Sequence, residues 1–308
     1  MIKVIIVGLG VQGKKRLKYA KSDCVATIDP IVKSADFKSI YDVPVNLYNT
    51  VILCVPDNKK IKIIQYCINN KKNVLVEKPL LFNNIKEINS VKKHAIKNKV
   101  LIYTAYNHRF EPNIVKMKKL LESKKLGKIH SCKIFYGNGT AKLVKKSKWR
   151  DQGQGVITDI GSHLLDITNF WFKNKFKNYK LIVSNKFENK SPDHAIIIAN
   201  SKKSFLNLEM SLCSWKNSFR CDVYAQKGSA HIDSFCKWGT SYFSYKKRVY
   251  PSGKPKEYNS KIRISDPTWL LEYKHFKKIL LNEQKTDFNK DAIFYKILNN
   301  FKKKDKYL

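Results

Sequence analysis

The chain has 308 residues, enough for about two domains with buried cores, and its 43% hydrophobic and 12% aromatic content excludes a disordered polymer. A formal net charge of +37 would suit a polyanion binder, yet only six of the 61 Lys and Arg residues are arginine, the residue of base readout and bidentate phosphate grip. The lysines are spread along the whole chain, which points to a solvated surface rather than a nucleic-acid partner, and no apolar run approaches the roughly 20 residues of a membrane span.

Seven cysteines (Cys24, Cys54, Cys67, Cys132, Cys213, Cys221, Cys236) are scattered without zinc or redox spacing, so reduced thiols and no metal site are expected. The opening "MIKVIIVGLG" leads from a short apolar run straight into glycines. That reads as the first buried strand of a cytoplasmic protein rather than a secretory signal. Ile2 to Val7 forms the strand, "CVATID" a second ending at Asp29, and "TVILCVP" a third closed by Pro56. Ile61, Ile64 and Ile68 then recur at helical spacing. "NVLVE" is the next strand, Asn84 caps a helix carrying Ile85, Ile88 and Ala95, and "VLIYTA" is a further strand. Pro112 suits the first turn of a helix bearing Ile114, Met117 and Leu121, with Gly127 just beyond it. Strands separated by such helices predict a parallel, doubly wound α/β sheet.

From about residue 128 the rhythm changes to strand after strand. "KIHSCKIFYG", "KLIVSNKFE", "HAIIIAN", "SFLNLEMSLCSW" and "RCDVYAQKGSAHIDSF" follow one another, with "AQKGSA" as a hairpin turn. Leu206, Leu208, Met210 and Leu212 alternate with polar residues, as expected when one face of a sheet is covered. Helices are predicted at about Val156 to Phe172 and Trp269 to Leu281. The second half is therefore expected to be an α+β unit with a large, mainly antiparallel sheet, ending in the lysine-rich tail "FKKKDKYL".

Three groups of residues could carry chemistry. Gly8, Gly10 and Gly13 form a G-x-G-x-x-G after a buried strand, and Asp29 stands 21 positions after Gly8. Glycines let a pyrophosphate approach the backbone, the helix N-terminus favours its charge, and the aspartate suits a ribose 2′-hydroxyl. Asp29 would repel a 2′-phosphate, so NAD is expected over NADP, although Lys33 nearby keeps NADP open. Lys78, in "VEKPLL", ends a parallel strand, where ligands collect in open α/β sheets, and Pro79 restricts it to extended geometry. In "DIGSHLLD", Asp159 and His163 are four apart and share a helix face, with Asp166 a second carboxylate three residues on. An aspartate can hold an imidazole in one tautomer, and that imidazole can act as a general base.

Taken together, "GLGVQG", "VEKP", "YNHRF" and "GVITDIGSHLLD" resemble, in order and spacing, the glucose–fructose oxidoreductase/inositol dehydrogenase (Gfo/Idh/MocA) family over most of the chain. The resemblance implies an NAD(P)-binding Rossmann domain over residues 1–122. It also implies a substrate and oligomerisation domain over 123–308, its last helix packing back on the first. Lys78, Asp159 and His163 would face the nicotinamide as catalytic residues, with a cis bond at Lys78–Pro79. Gly8, Gly10, Val11, Gln12, Gly13, Asp29, Val55, Pro56, Glu77, Lys78 and Asn107 would line the cofactor. Arg109, Trp149 and Arg150 would stand on the substrate side, with no metal. The implied activity is hydride transfer at a secondary alcohol or ketone of a sugar, cyclitol or sugar derivative, nucleotide-linked forms included. A homodimer or homotetramer through the open sheet is implied as well. The alternatives are sugar chemistry without net redox change, or a non-catalytic dinucleotide-binding regulator. Two departures from the family stand out: a short segment between Asp29 and "TVILCVP", and a lysine around Lys60 where the family often has histidine.

Overall fold

The protein, seen in a computed structural model, is described over residues 1–147 and 149–304; Lys148 and the last four residues of the lysine-rich tail lie outside the described residues. The first part alternates β1 (Val4–Val7), α1 (Val11–Ala20), β2 (Cys24–Ile28), β3 (Thr50–Leu53), α2 (Asp57–Asn69), β4 (Asn73–Glu77), α3 (Ile85–Lys97) and β5 (Ile102–Ala105). The second runs α4 (Pro112–Glu122), β6 (Ile129–Gly137), α5 (Ala141–Lys145), α6 (Ser162–Phe172), β7 (Lys177–Asn185), β8 (His194–Ser201) and β9 (Ser204–Ser211). It continues through β10 (Ser218–Ala225), β11 (Gly228–Asp233), β12 (Ser241–Lys247) and β13 (Lys256–Ile262), before α7 (Thr268–Leu281) and α8 (Asn289–Lys304).

Two compact units result: Met1–Asn107 with Trp269–Lys296, and His108–Thr268 with the chain from Ile297 on. The second unit begins ahead of α4. The reason is local: α4 packs on α6, β11 and β12, Asn113 donates to Ser241 Oγ at 2.7 Å, and the Trp171 indole N–H donates to the Ile114 carbonyl at 2.9 Å.

In the first unit five parallel strands are ordered β2-β1-β3-β4-β5. Strand side chains alternate between faces. Val4, Ile6, Ile52 and Leu75 meet Tyr103 and the α7 residues Tyr273, Phe276 and Ile279, whereas Ile5, Val7, Val51 and Val76 meet Ile64 and Ile68 of α2 and Ile88 and Val91 of α3. Each such side chain, fully buried, stabilises by about 1.5–3 kcal/mol. Capping sets the helix starts: Asn84 accepts from the Glu87 amide at 2.8 Å, and Glu111 accepts from the Asn113 and Ile114 amides with Pro112 in the first turn. The order reverses between β1 and β3, and a doubly wound sheet binds ligands at such a switch point, beyond the carboxyl ends of its strands.

The second unit is built on eight strands ordered β13-β12-β11-β10-β6-β9-β8-β7, antiparallel at every pairing except β6 with β9. The two-residue connection Gln226–Lys227 joins β10 to β11, with Ala225 paired to Gly228. Leu206, Leu208, Met210 and Leu212 are buried, as their alternation predicts.

Candidate active site

The glycine turn is constrained by backbone packing. Gly8 follows β1 at φ +93°, and a Cβ there would lie 2.4 Å from the Cys54 carbonyl oxygen. A Cβ on Gly13 would lie 1.8 Å from the Gly8 carbonyl oxygen, so α1 sits directly on the turn. Gly10, between them, faces open space: nothing lies within 4 Å of where its Cβ would be. Gly10 is also the α1 N-cap, and no side chain caps this helix start, while Val11 stands exposed in its first turn. The first amides of α1 are thus presented to an anion beside a gap that a side chain would fill. Asp29 follows β2, its carboxylate accepting from the Leu9 amide at 2.7 Å and the Ile31 and Val32 amides at 2.9 and 3.0 Å. Burial alone would raise its pKa, but these three amides and the charge of Lys38 hold it below the ordinary value. The turn, the uncapped helix and an ionised aspartate fit a dinucleotide.

Replacing Gly13 by Ala drives a methyl into backbone, an overpacking cost of about 1–3 kcal/mol. The expected result is NADH binding weakened about 10–100-fold in a fluorescence titration. Unchanged affinity would show that the turn does not hold the cofactor.

Further along the same sheet edge, Val55 and Pro56 open the way into α2, Asn107 is buried in the turn after β5, and Lys78 stands half-buried just past β4. The Lys78–Pro79 bond is cis. Glu77, expected at the cofactor, has its carboxylate committed elsewhere. Arg16 of α1 donates through Nε to Glu77 at 2.6 Å and through Nη2 to Glu272 of α7 at 2.7 Å, with its guanidinium 4.5 Å from the Trp269 ring centre. Arg16 and Glu272 are almost completely buried. Burial would lower the Arg16 pKa, but the charges of Glu77 and Glu272 raise it above its ordinary value. Lys60 is also buried, and its ammonium donates to Asp57, to the Glu77 carbonyl and to the Pro79 carbonyl at 2.7, 2.7 and 2.8 Å.

The second unit carries Asp159 and His163. A π-helical turn, Ile157–Gly161, presents Asp159 and runs into α6, which carries His163. Such turns recur at functional sites, and a four-residue step along one still covers close to a full turn. Asp159 accepts from Arg150 Nη2 at 3.0 Å. Asp166 is not the open second carboxylate that its spacing suggests: Arg109 clamps it through both Nε, at 2.6 Å, and Nη2. Arg109, expected on the substrate side, thereby ties the turn after β5 to α6 and lies 5.4 Å from the Phe170 ring centre. Trp149 is half-exposed.

His163 is buried and stacks on His108 with ring centres 3.8 Å apart. His108 Nε2 lies 2.8 Å from the Lys237 ammonium, and Tyr136 and Phe235 pack against its ring. A Lys237 ammonium can only donate, so in this contact His108 Nε2 is the acceptor. Burial raises the Tyr136 phenol well above its ordinary value, which keeps it neutral beside these rings. Arg16, His108, Tyr136 and Lys237 were not singled out by their sequence pattern, although His108 lies inside "YNHRF". Lys78 belongs to the first unit, Asp159 and His163 to the second.

A parallel sheet with a glycine turn at its switch point defines a dinucleotide-binding Rossmann fold. Residues 2–106 match the oxidoreductase family with an NAD-binding Rossmann fold, and residues 114–231 match the GFO/IDH/MocA C-terminal domain. The chain belongs to the Gfo/Idh/MocA family of oxidoreductases. It is similar to glucose-6-phosphate 3-dehydrogenase of Bacillus subtilis, 27% identical over 161 residues covering 48% of this chain and 46% of that protein. It is also similar to myo-inositol 2-dehydrogenase of Thermotoga maritima, 30% identical over 86 residues covering 28% and 25%. The chain spans less than half the length of these relatives. Among solved structures, levoglucosan dehydrogenase in complex with NADH superposes with a TM-score of 0.79 at 16% identity, over 96% of this chain and 94% of that one.

Proposed function

We propose that the protein is an NAD(P)-dependent dehydrogenase or reductase acting on the secondary alcohol or ketone of a sugar, cyclitol or sugar derivative. The observation that carries this reading is the first unit's sheet edge, where a strand-end lysine follows β4 in the same sheet as a glycine turn built for a dinucleotide. The names of the two relatives, dehydrogenases of a sugar phosphate and of an inositol, support that substrate class.

Gly8, Gly10, Gly13 and the start of α1, with Val11 and Gln12, would hold the pyrophosphate, and Asp29 the adenosine ribose. Asp29 Oδ2, which accepts only the Leu9 amide, keeps lone-pair capacity for a hydroxyl, and the aspartate's charge disfavours a 2′-phosphate, which favours NAD. Bound NAD supplies a hydride acceptor at C4 of its nicotinamide. On the substrate, His163 takes the hydroxyl proton as general base. Asp159 orients that imidazole and favours its charged form, and Arg150 steadies Asp159. Lys78 donates a hydrogen bond to the substrate oxygen and stabilises the alkoxide-like charge that develops there. Arg150 and Trp149 border the substrate, and Arg109 acts on it through Asp166 and α6.

Self-association through the open face of the eight-stranded sheet is part of the same reading. Phe205, Tyr224 and Tyr242 are exposed there, on strands whose alternate residues are buried. Among the described residues no helix is long and apolar enough to cross a membrane, and the seven cysteines are free thiols. We place the protein in the cytoplasm on the scatter of those cysteines, with a small-molecule substrate and not nucleic acid as its partner.

The test is absorbance at 340 nm with NAD and, separately, NADP against myo-inositol, scyllo-inositol, glucose, glucose 6-phosphate and UDP-linked sugars. Reduced cofactor is expected with at least one member, faster with NAD. No reduction with any member, and no oxidation of NADH by the matching ketones, would reject the reading.

A further inference from the structure

We infer that Lys60 is the positioning residue of Lys78, a role that rests on the reading of Lys78 given above. Its ammonium is buried, and three acceptors lie at 2.7–2.8 Å: the Asp57 carboxylate, the Glu77 carbonyl and the Pro79 carbonyl. An ammonium has three N–H groups, so all three are spent and Lys60 has none to offer a ligand. Lys60 is therefore a fixture of the site and not a reactant.

The placement of the two carbonyls gives the role its content. They belong to the residues immediately before and after Lys78. One fixes the peptide plane that enters Lys78 and the other the plane that leaves Pro79, while the pyrrolidine ring sets φ of Pro79. The backbone of Lys78 is held on both sides, so its Cα–Cβ direction is set by a helix of the next layer and not by the strand alone. A hydrogen bond from a charged donor to a carbonyl is shorter and stronger than one between neutral groups. Lys60 lies one turn into α2, which begins straight after Pro56. It thus ties the loop after β3 to the loop after β4, both at the carboxyl edge of the sheet. A residue that reacts through a single hydrogen bond loses rate steeply when misplaced, by about 100-fold for 1 Å. An imidazole at position 60 would have at most two N–H groups and could not reproduce the three bonds.

The experiment compares Lys60→Met and Lys60→His in the full-length chain. It reads hydrogen exchange of the peptide over residues 76–82, NADH affinity by fluorescence, and kcat and KM on the best alcohol of the panel. In Lys60→Met, exchange at 76–82 is expected to rise at least about 10-fold while peptides of β1 and β3 stay unchanged. kcat should fall about 100-fold with KM and NADH affinity within about 3-fold, and Lys60→His should lie between. Introduced into Lys78→Met, the Lys60→Met change should produce no further loss of kcat, the signature of a residue acting through another. A purely structural lysine would instead weaken NADH binding and stability in parallel and add its full loss to that of Lys78→Met. That outcome, or kcat of Lys60→Met within about 3-fold of the parent, overturns the proposal. If Lys60→Met does not fold, unchanged exchange and kcat in Lys60→His overturn it. Full activity in Lys78→Met would reject the reading of Lys78, while the exchange data would still report whether Lys60 holds the turn.

Discussion

Replacing Lys78 by Met is expected to lower kcat at least about 1,000-fold while NADH binds as tightly as before, and His163→Ala is expected to do the same. The two variants remove different things. Met keeps the length and apolar stem of lysine but deletes the donor that meets negative charge on the substrate oxygen. Such an interaction is made chiefly in the transition state, so kcat and kcat/KM should fall together. Ala at 163 deletes the proton acceptor, and it also removes the ring that stacks on His108 at 3.8 Å. Thermal unfolding of His163→Ala therefore belongs beside the kinetics, because lost packing and lost chemistry differ in Tm. Neither side chain belongs to the glycine turn or to the cradle of amides around Asp29, which is why cofactor affinity should survive. Full activity in both variants would remove the mechanism.

The second large effect falls on stability. Arg16 lies between Glu77 and Glu272 with almost no solvent contact. Arg16→Met leaves two carboxylates in the interior without their cation, and breaking a buried ion pair from one side costs about 3–5 kcal/mol. Equilibrium urea unfolding should show a loss of that size, read as a lower midpoint at constant m. The triple change Arg16→Met, Glu77→Gln, Glu272→Gln should recover most of it, since the cost arises from uncompensated charge and not from missing volume. A loss below about 1 kcal/mol in Arg16→Met would mean that water or protonation already relieves the carboxylates. Glu77 adjoins Lys78, so the ion group also anchors the strand end from which the lysine projects.

Periodicity carried much of the fold. Buried parallel strands are continuous apolar runs, and β1, β3 and β4 read directly as such. The covered face of β9 was equally plain from Leu206, Leu208 and Met210. β13 escaped because "KEYNSKI" is a polar strand at a sheet edge, where exposure erases alternation, and β12 because "SYFSYKK" buries only Ser241 and Phe243. α8 was hidden inside lysine-rich sequence.

Motif spacing marked Lys78, Asp159 and His163 as candidates, but Lys60 and Arg16 answered to a different signal. Lys60 shares the buried register of α2 with Ile64, Cys67 and Ile68, and Arg16 shares that of α1 with Gly13 and Ala20. A cation in an apolar stripe announces a buried partner. In a chain with 61 basic residues that signal is easily lost. The commitments of Asp166 to Arg109 and of Glu77 to Arg16 are long-range pairings between elements that spacing alone does not connect.

The most direct test of the central claim follows the hydride itself. NADH carrying deuterium at both C4 positions is mixed with the protein and 2-keto-myo-inositol, or with the ketone of whichever alcohol the panel shows to react, and the product is analysed by mass spectrometry. The account predicts one deuterium on the new carbinol carbon, and none when Lys78→Met or His163→Ala replaces the parent protein. Cofactor binding with no deuterium in any product, or product whose new C–H hydrogen comes from solvent, would contradict it.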